Sequence, residues 1–222
     1  DKFCKKIYNE LKNENKVAIS QNKIEKGIYF SDNCIYDNFF YKNKILHLGE
    51  ISESIRGKIN IQNILATYAV SEKLKFNIKN FNQTLQIFKG LPHRLELIIK
   101  NKELTVINNS KATNIDSAVN SINDYENIYL ILGGKLKQDN FTSILDFKHK
   151  IKSCYLIGES SKIIFNQIGH LIDSKICHTL EMAIENIILD FNQTKIKTKT
   201  HIRSTILFSP ACSSFDQFLN FE

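Results

Sequence analysis

The chain has 222 residues, 42% of them hydrophobic, with only two prolines. That supplies a core and argues against long disordered linkers. The net charge is +7, and residues 1–90 hold 15 basic and 9 acidic side chains against 15 and 14 in the remainder. The excess is spread out, without an arginine-rich run or regular aromatic interleaving, so it reads as solvated lysine rather than a nucleic-acid surface.

Along the chain, residues 2–12 place Phe3, Ile7, Tyr8 and Leu11 on one helical face. Residues 17–20 and 27–30 are short strand candidates. Residues 34–41 and 44–48 suggest a hairpin around Lys42-Asn43. A long helix from about residue 59 or 60 to Leu74 carries Ile61, Ile64, Leu65, Tyr68 and Ala69. Asn80 is the expected N-cap of a second helix running to Phe88, stopped by Gly90 with Pro92 beyond. A domain boundary is placed here, giving residues 1–90 and 91–222.

Beyond it strands alternate with helices. Strands are expected at 94–99, 104–107, 128–132, 154–157, 175–178 and 205–208. Helices are expected from Ile115, over most of 144–151, at 161–168, and after Thr179. Thr113 or Asn114 would cap the first of these. This order implies an α/β fold with a doubly wound, mainly parallel sheet. Ligands in such sheets bind beyond the carboxyl ends of the strands. The rim therefore holds 108–114, 133–137, Gly158 and 209–214.

Five scattered cysteines, Cys4, Cys34, Cys154, Cys177 and Cys212, contain no C-x-x-C pair and form no disulfide framework. No signal peptide or membrane-length apolar run is evident. A reducing, cytoplasmic setting is expected, without membrane or nucleic-acid partners. The only methionine is Met182, and the chain is read as a piece of something longer.

Several rim stretches carry chemistry. Asn108-Asn109-Ser110-Lys111-Ala112-Thr113-Asn114 pairs hydrogen-bonding side chains and a cation with a helix start, an arrangement suited to an anion. Gly133-Gly134-Lys135-Leu136-Lys137 lets backbone approach a ligand with a lysine just beyond. It is neither a G-x-x-x-x-G-K-[ST] loop nor a G-x-G-x-x-G turn. Ser209-Pro210-Ala211-Cys212-Ser213-Ser214, followed by Phe215, Phe218 and Phe221, offers hydroxyls for a carboxylate and rings to wall a pocket. No histidine or acidic partner can be placed beside Cys212 from sequence. At the junction, Gly90-Leu91-Pro92-His93-Arg94 fixes a guanidinium able to bind phosphate.

In order and spacing these stretches, with Leu132-Gly133-Gly134 and Ser213-Ser214-Phe215-Asp216-Gln217-Phe218, resemble the Mur ligases, most closely those that add D-glutamate. The resemblance is clear from about residue 56 onward and weaker before it. It implies that residues 1–90 are the C-terminal part of a central ATP-binding domain and 91–222 a Rossmann-like amino-acid-binding domain. It implies ATP and Mg2+ as cofactors, and UDP-N-acetylmuramoyl-L-alanine and D-glutamate as substrates of a monomeric enzyme of peptidoglycan precursor synthesis. By the matching motifs, Thr113, Lys137, Ser214 and Phe221 are implied for D-glutamate. Asn63, Arg94, Asn109 and Lys111 are implied for the nucleotide. No catalytic or metal-ligating residue is assigned.

The chain departs from the family pattern in three places. Ile59-Asn60-Ile61-Gln62-Asn63 lacks the histidine of His-Asn-x-x-Asn. Asn109 replaces the aspartate of Asn-Asp-Ser-Lys. An ungapped match puts Cys4, beside Lys5 and Lys6, where the family carries a carbamylated lysine. The phosphate loop and UDP-sugar domain are absent, so this piece is expected to be inactive alone. The alternatives are a degenerate binding domain, a folylpolyglutamate synthetase-like ligase, and another Rossmann-like enzyme such as a dehydrogenase, which the missing G-x-G-x-x-G argues against.

Overall fold

The computed structural model describes residues 2–12, 16–55, 57–137, 140–198, 203–217 and 219. The chain divides into two compact units, Asp1–Lys89 and Gly90–Glu222.

The first unit begins with α1 (Lys2–Glu10), which buries none of its residues. Four strands follow, β1 (Ile19–Ser20), β2 (Ile28–Ser31), β3 (Cys34–Asp37) and β4 (Lys44–His47), forming one sheet in the order β1-β2-β3-β4. β1 and β2 are parallel and the other pairs antiparallel. Asp32 and Asn33 both take positive φ, 49° and 58°. This is the turn whose twist suits a two-residue hairpin, and Asp and Asn tolerate it better than most residues. The second hairpin pairs Asp37 with Lys44, so β3 ends at Asp37 rather than Tyr41 and the connection is the whole of 38–43, not a turn at Lys42-Asn43 alone.

Helices α2 (Lys58–Lys73) and α3 (Ile78–Ile87) supply the rest of this core. Ile64, Leu65, Tyr68, Phe81 and Leu85 pack with Ile28 and Ile35. A buried polar group pins the hairpin to α2. Tyr68 donates its hydroxyl hydrogen to Asp37 Oδ2 at 3.0 Å, while Asp37 Oδ1 accepts from the Phe39 and Phe40 amides, both at 2.9 Å. The expected cap at Asn80 is corrected to Asn77, whose side chain accepts from the Lys79 amide. Starting one turn earlier brings Ile78 into the apolar stripe that contains Phe81 and Leu85.

The second unit is a six-stranded sheet: β5 (Glu96–Lys100), β6 (Leu104–Asn108), β7 (Ile128–Gly133), β8 (Ile151–Ile157), β9 (Ser174–His178) and β10 (Ser204–Phe208). The order is β5-β6-β10-β7-β8-β9, with only β5 antiparallel to its neighbour. Helices α4 (Ile115–Asn123), α5 (Ser161–Ile168) and α6 (Leu180–Thr198) complete the Rossmann-like α/β fold.

Central strand β7 shows why its sequence is apolar throughout. Ile128, Leu130 and Leu132 face one core with Ile122 and Ile164, and Tyr129 and Ile131 face another with Ala183 and Ile187. A strand covered on both faces needs no polar alternation.

Two sequence expectations are corrected here. Thr142–Lys150 is 3-10 helix, and Ile151 opens a seven-residue strand rather than closing a helix. The polar Lys152 and Ser153 hide this strand in the sequence. Lys152 donates to Ser204 Oγ at 3.0 Å and lies 5.4 Å from the centre of the Tyr129 ring, so its stem can sit inside the sheet. The first strand starts at Glu96 rather than Arg94, because His93 and Leu95 take positive φ (64° and 49°) and turn the chain before it.

Candidate active site

The insertion of β10 between β6 and β7 carries residues 209–217 into the middle of the sheet's carboxyl rim. There they bond to every neighbouring loop. The Ala211 amide donates to the Ala112 carbonyl at 2.9 Å. Lys135 and Ser213 exchange backbone hydrogen bonds of 2.8 and 3.2 Å, and Gly133 N–H donates to Pro210 O at 2.9 Å. Asp216 Oδ2 accepts from the Glu159 amide at 3.0 Å, and Gln217 Nε2 donates to His178 O at 3.4 Å. The Gly134 amide donates to Ser160 Oγ at 3.1 Å. Five stretches far apart in sequence are thereby one surface.

Gly158 belongs to this clamp. A Cβ there would collide with Asp216 Oδ2 and stand 2.8 Å from Gly134 Cα. Only glycine lets the three loops meet so closely. Ser160 and Asp216 were not singled out as site residues from the sequence. A hydroxyl two residues after Gly158 is a weak signal, and its partners Gly134 and Cys212 lie 26 and 52 residues away.

The residues implied for the amino acid fall into two groups. Thr113 and Ser214 are half-buried on this rim and Lys137 is exposed beside it; none has a side-chain hydrogen bond within the described residues. Their polar groups remain available to a ligand. Phe221 lies outside the described residues.

The nucleotide group is split. Asn63 sits on α2 in the first unit, exposed, donating to Asn60 Oδ1 at 3.3 Å. Arg94, Asn109 and Lys111 are in the second unit. The Arg94 side chain is exposed. The Lys111 amide donates to His93 O at 3.1 Å, tying the junction turn to the 108–114 loop. Asn108 strengthens this tie. Its Nδ2 donates to Glu96 Oε2 at 3.3 Å and meets His93 Nδ1 at 3.0 Å, and its Oδ1 accepts from the Ser110 amide. Asn109 is buried, with its carboxamide turned inward. Asn114, not Thr113, caps α4 by accepting from the Ser117 amide at 2.8 Å, which leaves the Thr113 hydroxyl uncommitted.

Cys212 is buried. Burial pushes its thiol upward, outweighing the Ser160 hydroxyl that favours the thiolate, and the Asp216 charge adds to the rise. It packs under the loop, 3.6 Å from Ser160 Oγ. Cys4 is exposed on α1. Among the described residues no three His, Cys, Asp or Glu side chains gather into a metal site, and no helix is long and apolar enough to cross a membrane.

No protein-family model matches the chain. It is 33% identical over 224 aligned residues to UDP-N-acetylmuramoylalanine–D-glutamate ligase of Rickettsia bellii, an alignment covering 99% of this chain and 48% of that protein. Over nearly its whole length this chain is similar to D-glutamate-adding Mur ligases, at 30–33% identity. It spans about half the length of the curated relatives it matches. Among solved structures, MurF from Acinetobacter baumannii has the same fold at a TM-score of 0.61 and 14% identity, over 90% of this chain and 45% of that one. Mycobacterium tuberculosis folylpolyglutamate synthase complexed with ADP follows at 0.59 and 14%, over 78% and 41%. At such identities these two relationships concern the fold alone. The Mur ligase relationship makes the knitted carboxyl rim the candidate active-site surface of this half.

Proposed function

We propose that this chain is the amino-acid-binding half, with part of the ATP-binding domain, of a ligase that joins D-glutamate to UDP-N-acetylmuramoyl-L-alanine in peptidoglycan precursor synthesis. The observation that carries the reading is the knitted rim. Backbone hydrogen bonds join Ala112 to Ala211 and Lys135 to Ser213, close in the chain to Thr113, Ser214 and Lys137, and those three side chains make no hydrogen bond among the described residues. Uncommitted hydroxyls and a lysine on one rim supply the group types that a dicarboxylate ligand would use.

In the proposed division of labour Lys137 pairs with a D-glutamate carboxylate, Thr113 and Ser214 hydrogen-bond it, and Phe221 closes the pocket. Asn63, Arg94 and Lys111 meet the nucleotide, and Asn109 supports that end from inside. ATP supplies the phosphoryl group that activates the acceptor carboxyl as an acyl phosphate, which the glutamate amine then attacks. This chain's contribution to that step is positioning. It holds the amine in reach and shields anionic groups from one another. The exposed Arg94 guanidinium suits a phosphate. The described residues provide no Mg2+ set, so no step is assigned to that ion.

The test is the complete ligase carrying this chain, supplied with ATP, the UDP-sugar peptide and D-glutamate. Amide product matched by ADP and phosphate is expected, and Lys137→Ala should raise the KM for D-glutamate more than it lowers kcat. Binding of the substrates with neither amide nor phosphate formed would refute the reading and favour a degenerate binding domain.

A further inference from the structure

Asn109 heads a buried chain of hydrogen bonds whose hydrogens favour an amide over a carboxylate at this position. The Leu95 amide can only donate, so the Asn109 carboxamide oxygen must face it, at 3.2 Å. The amide nitrogen therefore faces Ser209 Oγ, also at 3.2 Å. Ser209 Oγ lies 3.0 Å from Ser121 Oγ, which in turn lies 2.7 Å from the Ala118 carbonyl.

A carbonyl has no proton to give. The Ser121 hydrogen is thus directed at Ala118, the Ser209 hydrogen at Ser121, and the Ser209 oxygen accepts from Asn109. Each of the four contacts contains one hydrogen. With a carboxylate at position 109 the Leu95 amide and two hydroxyls supply three hydrogens for the same four contacts. Ser121 and Ser209 are fully buried, so one oxygen–oxygen contact would be left without a proton in the interior, where such a defect is costly.

We propose that Asn109 and Ser121 are a matched pair. Asn109 is a positioning residue that sets the direction of a buried relay tying the Arg94 turn to the end of β10 and to α4, and Ser121 is the group that requires an amide there. Its consequence for nucleotide binding rests on the ligase reading, whereas the relay itself does not.

The experiment is a double-mutant cycle on the 222-residue chain, read by thermal melting and by hydrogen exchange at the Leu95 amide. Asn109→Asp should lower Tm by about 2–4 °C, the shift that corresponds to about 1 kcal/mol in a protein of this size. Ser121→Ala should lower Tm in the native background, by removing the acceptor of the Ser209 hydrogen, and raise it in the Asn109→Asp background, by removing the contact that lacks a proton. Only the protonated carboxyl can donate to Ser209, so the folded pKa of Asp at 109 is raised. The deficit of Asn109→Asp relative to native should therefore close as pH falls toward about 4 and open as pH rises.

The Leu95 amide should stay protected in Asn109→Asp, whose carboxylate still accepts from it, and exchange freely in Asn109→Ala. Should Asn109→Asp fail to fold at neutral pH, recovery of folding in the double variant supports the pairing and continued failure overturns it. Additive Tm changes, or a deficit independent of pH, would also overturn it. None of these readouts involves a ligand, so their failure would leave the D-glutamate proposal standing, and the reverse holds equally.

Discussion

Replacing Gly134 with alanine should loosen the rim that holds the proposed glutamate site. Gly134 takes φ of +137°, a region essentially closed to residues with a side chain. An added Cβ would press into the Ser213 carbonyl oxygen and stand 3.1 Å from Cys212 Cβ. Backbone strain of this kind costs about 1–3 kcal/mol. Relieving the collision means moving Ser213 away from Lys135, and each of the two backbone hydrogen bonds lost is worth about 0.5–1.5 kcal/mol. Together the loss is about 2–6 kcal/mol, a large share of the about 5–15 kcal/mol that holds a typical domain. Urea unfolding followed through amide resonances of the second unit should show the midpoint falling at unchanged slope. D-glutamate contacts near Ser214 should weaken with it. A midpoint equal to that of the native chain would refute the clamp between 133–137 and 209–217.

Other perturbations probe different parts of the structure. Tyr68→Phe leaves the fully buried Asp37 one donor short and should destabilise the first unit by about 1–3 kcal/mol in chemical denaturation. Burial alone would raise the Asp190 carboxyl, but hydrogen bonds from Lys175 and Tyr155 outweigh it and hold it below its ordinary value. The stability this supplies is present above the unfolded carboxyl pKa of about 4 and lost as pH falls through the lower folded value. Asp190→Asn should therefore flatten the acid limb of the stability–pH curve, and an unchanged limb would contradict the pairing. Thiol titration of the native chain should find Cys4 reacting quickly, while the buried Cys34, Cys154, Cys177 and Cys212 wait for unfolding.

Much of the fold was legible because single elements carry their own pattern. Helix α5 falls on the residues its apolar spacing indicates, and β7 is visible as an uninterrupted apolar run. What escaped depends on partners distant in sequence. β8 begins three residues earlier than its apolar stretch because Lys152 is accommodated by Ser204, 52 residues away. Asn77 and Asn80 are chemically equal as caps, and the packing of Ile78 with Phe81 and Leu85 decides between them. The site divides the same way. Glycines, hydroxyls and lysines at strand ends mark the rim, and motif order identifies the family. The inward turn of the Asn109 carboxamide and the grip of Asp216 on residues 158–159 are invisible without coordinates, since both depend on atoms brought in by other strands.

The central claim, that the rim of the second unit binds D-glutamate, is tested most directly by titrating the native chain and its Lys137→Ala variant with D- and L-glutamate while following amide shifts. The account predicts that D-glutamate moves resonances at Thr113 and Ser214, that L-glutamate does not, and that Lys137→Ala abolishes the response. Equal responses to both enantiomers, or a response unchanged in the variant, would contradict it.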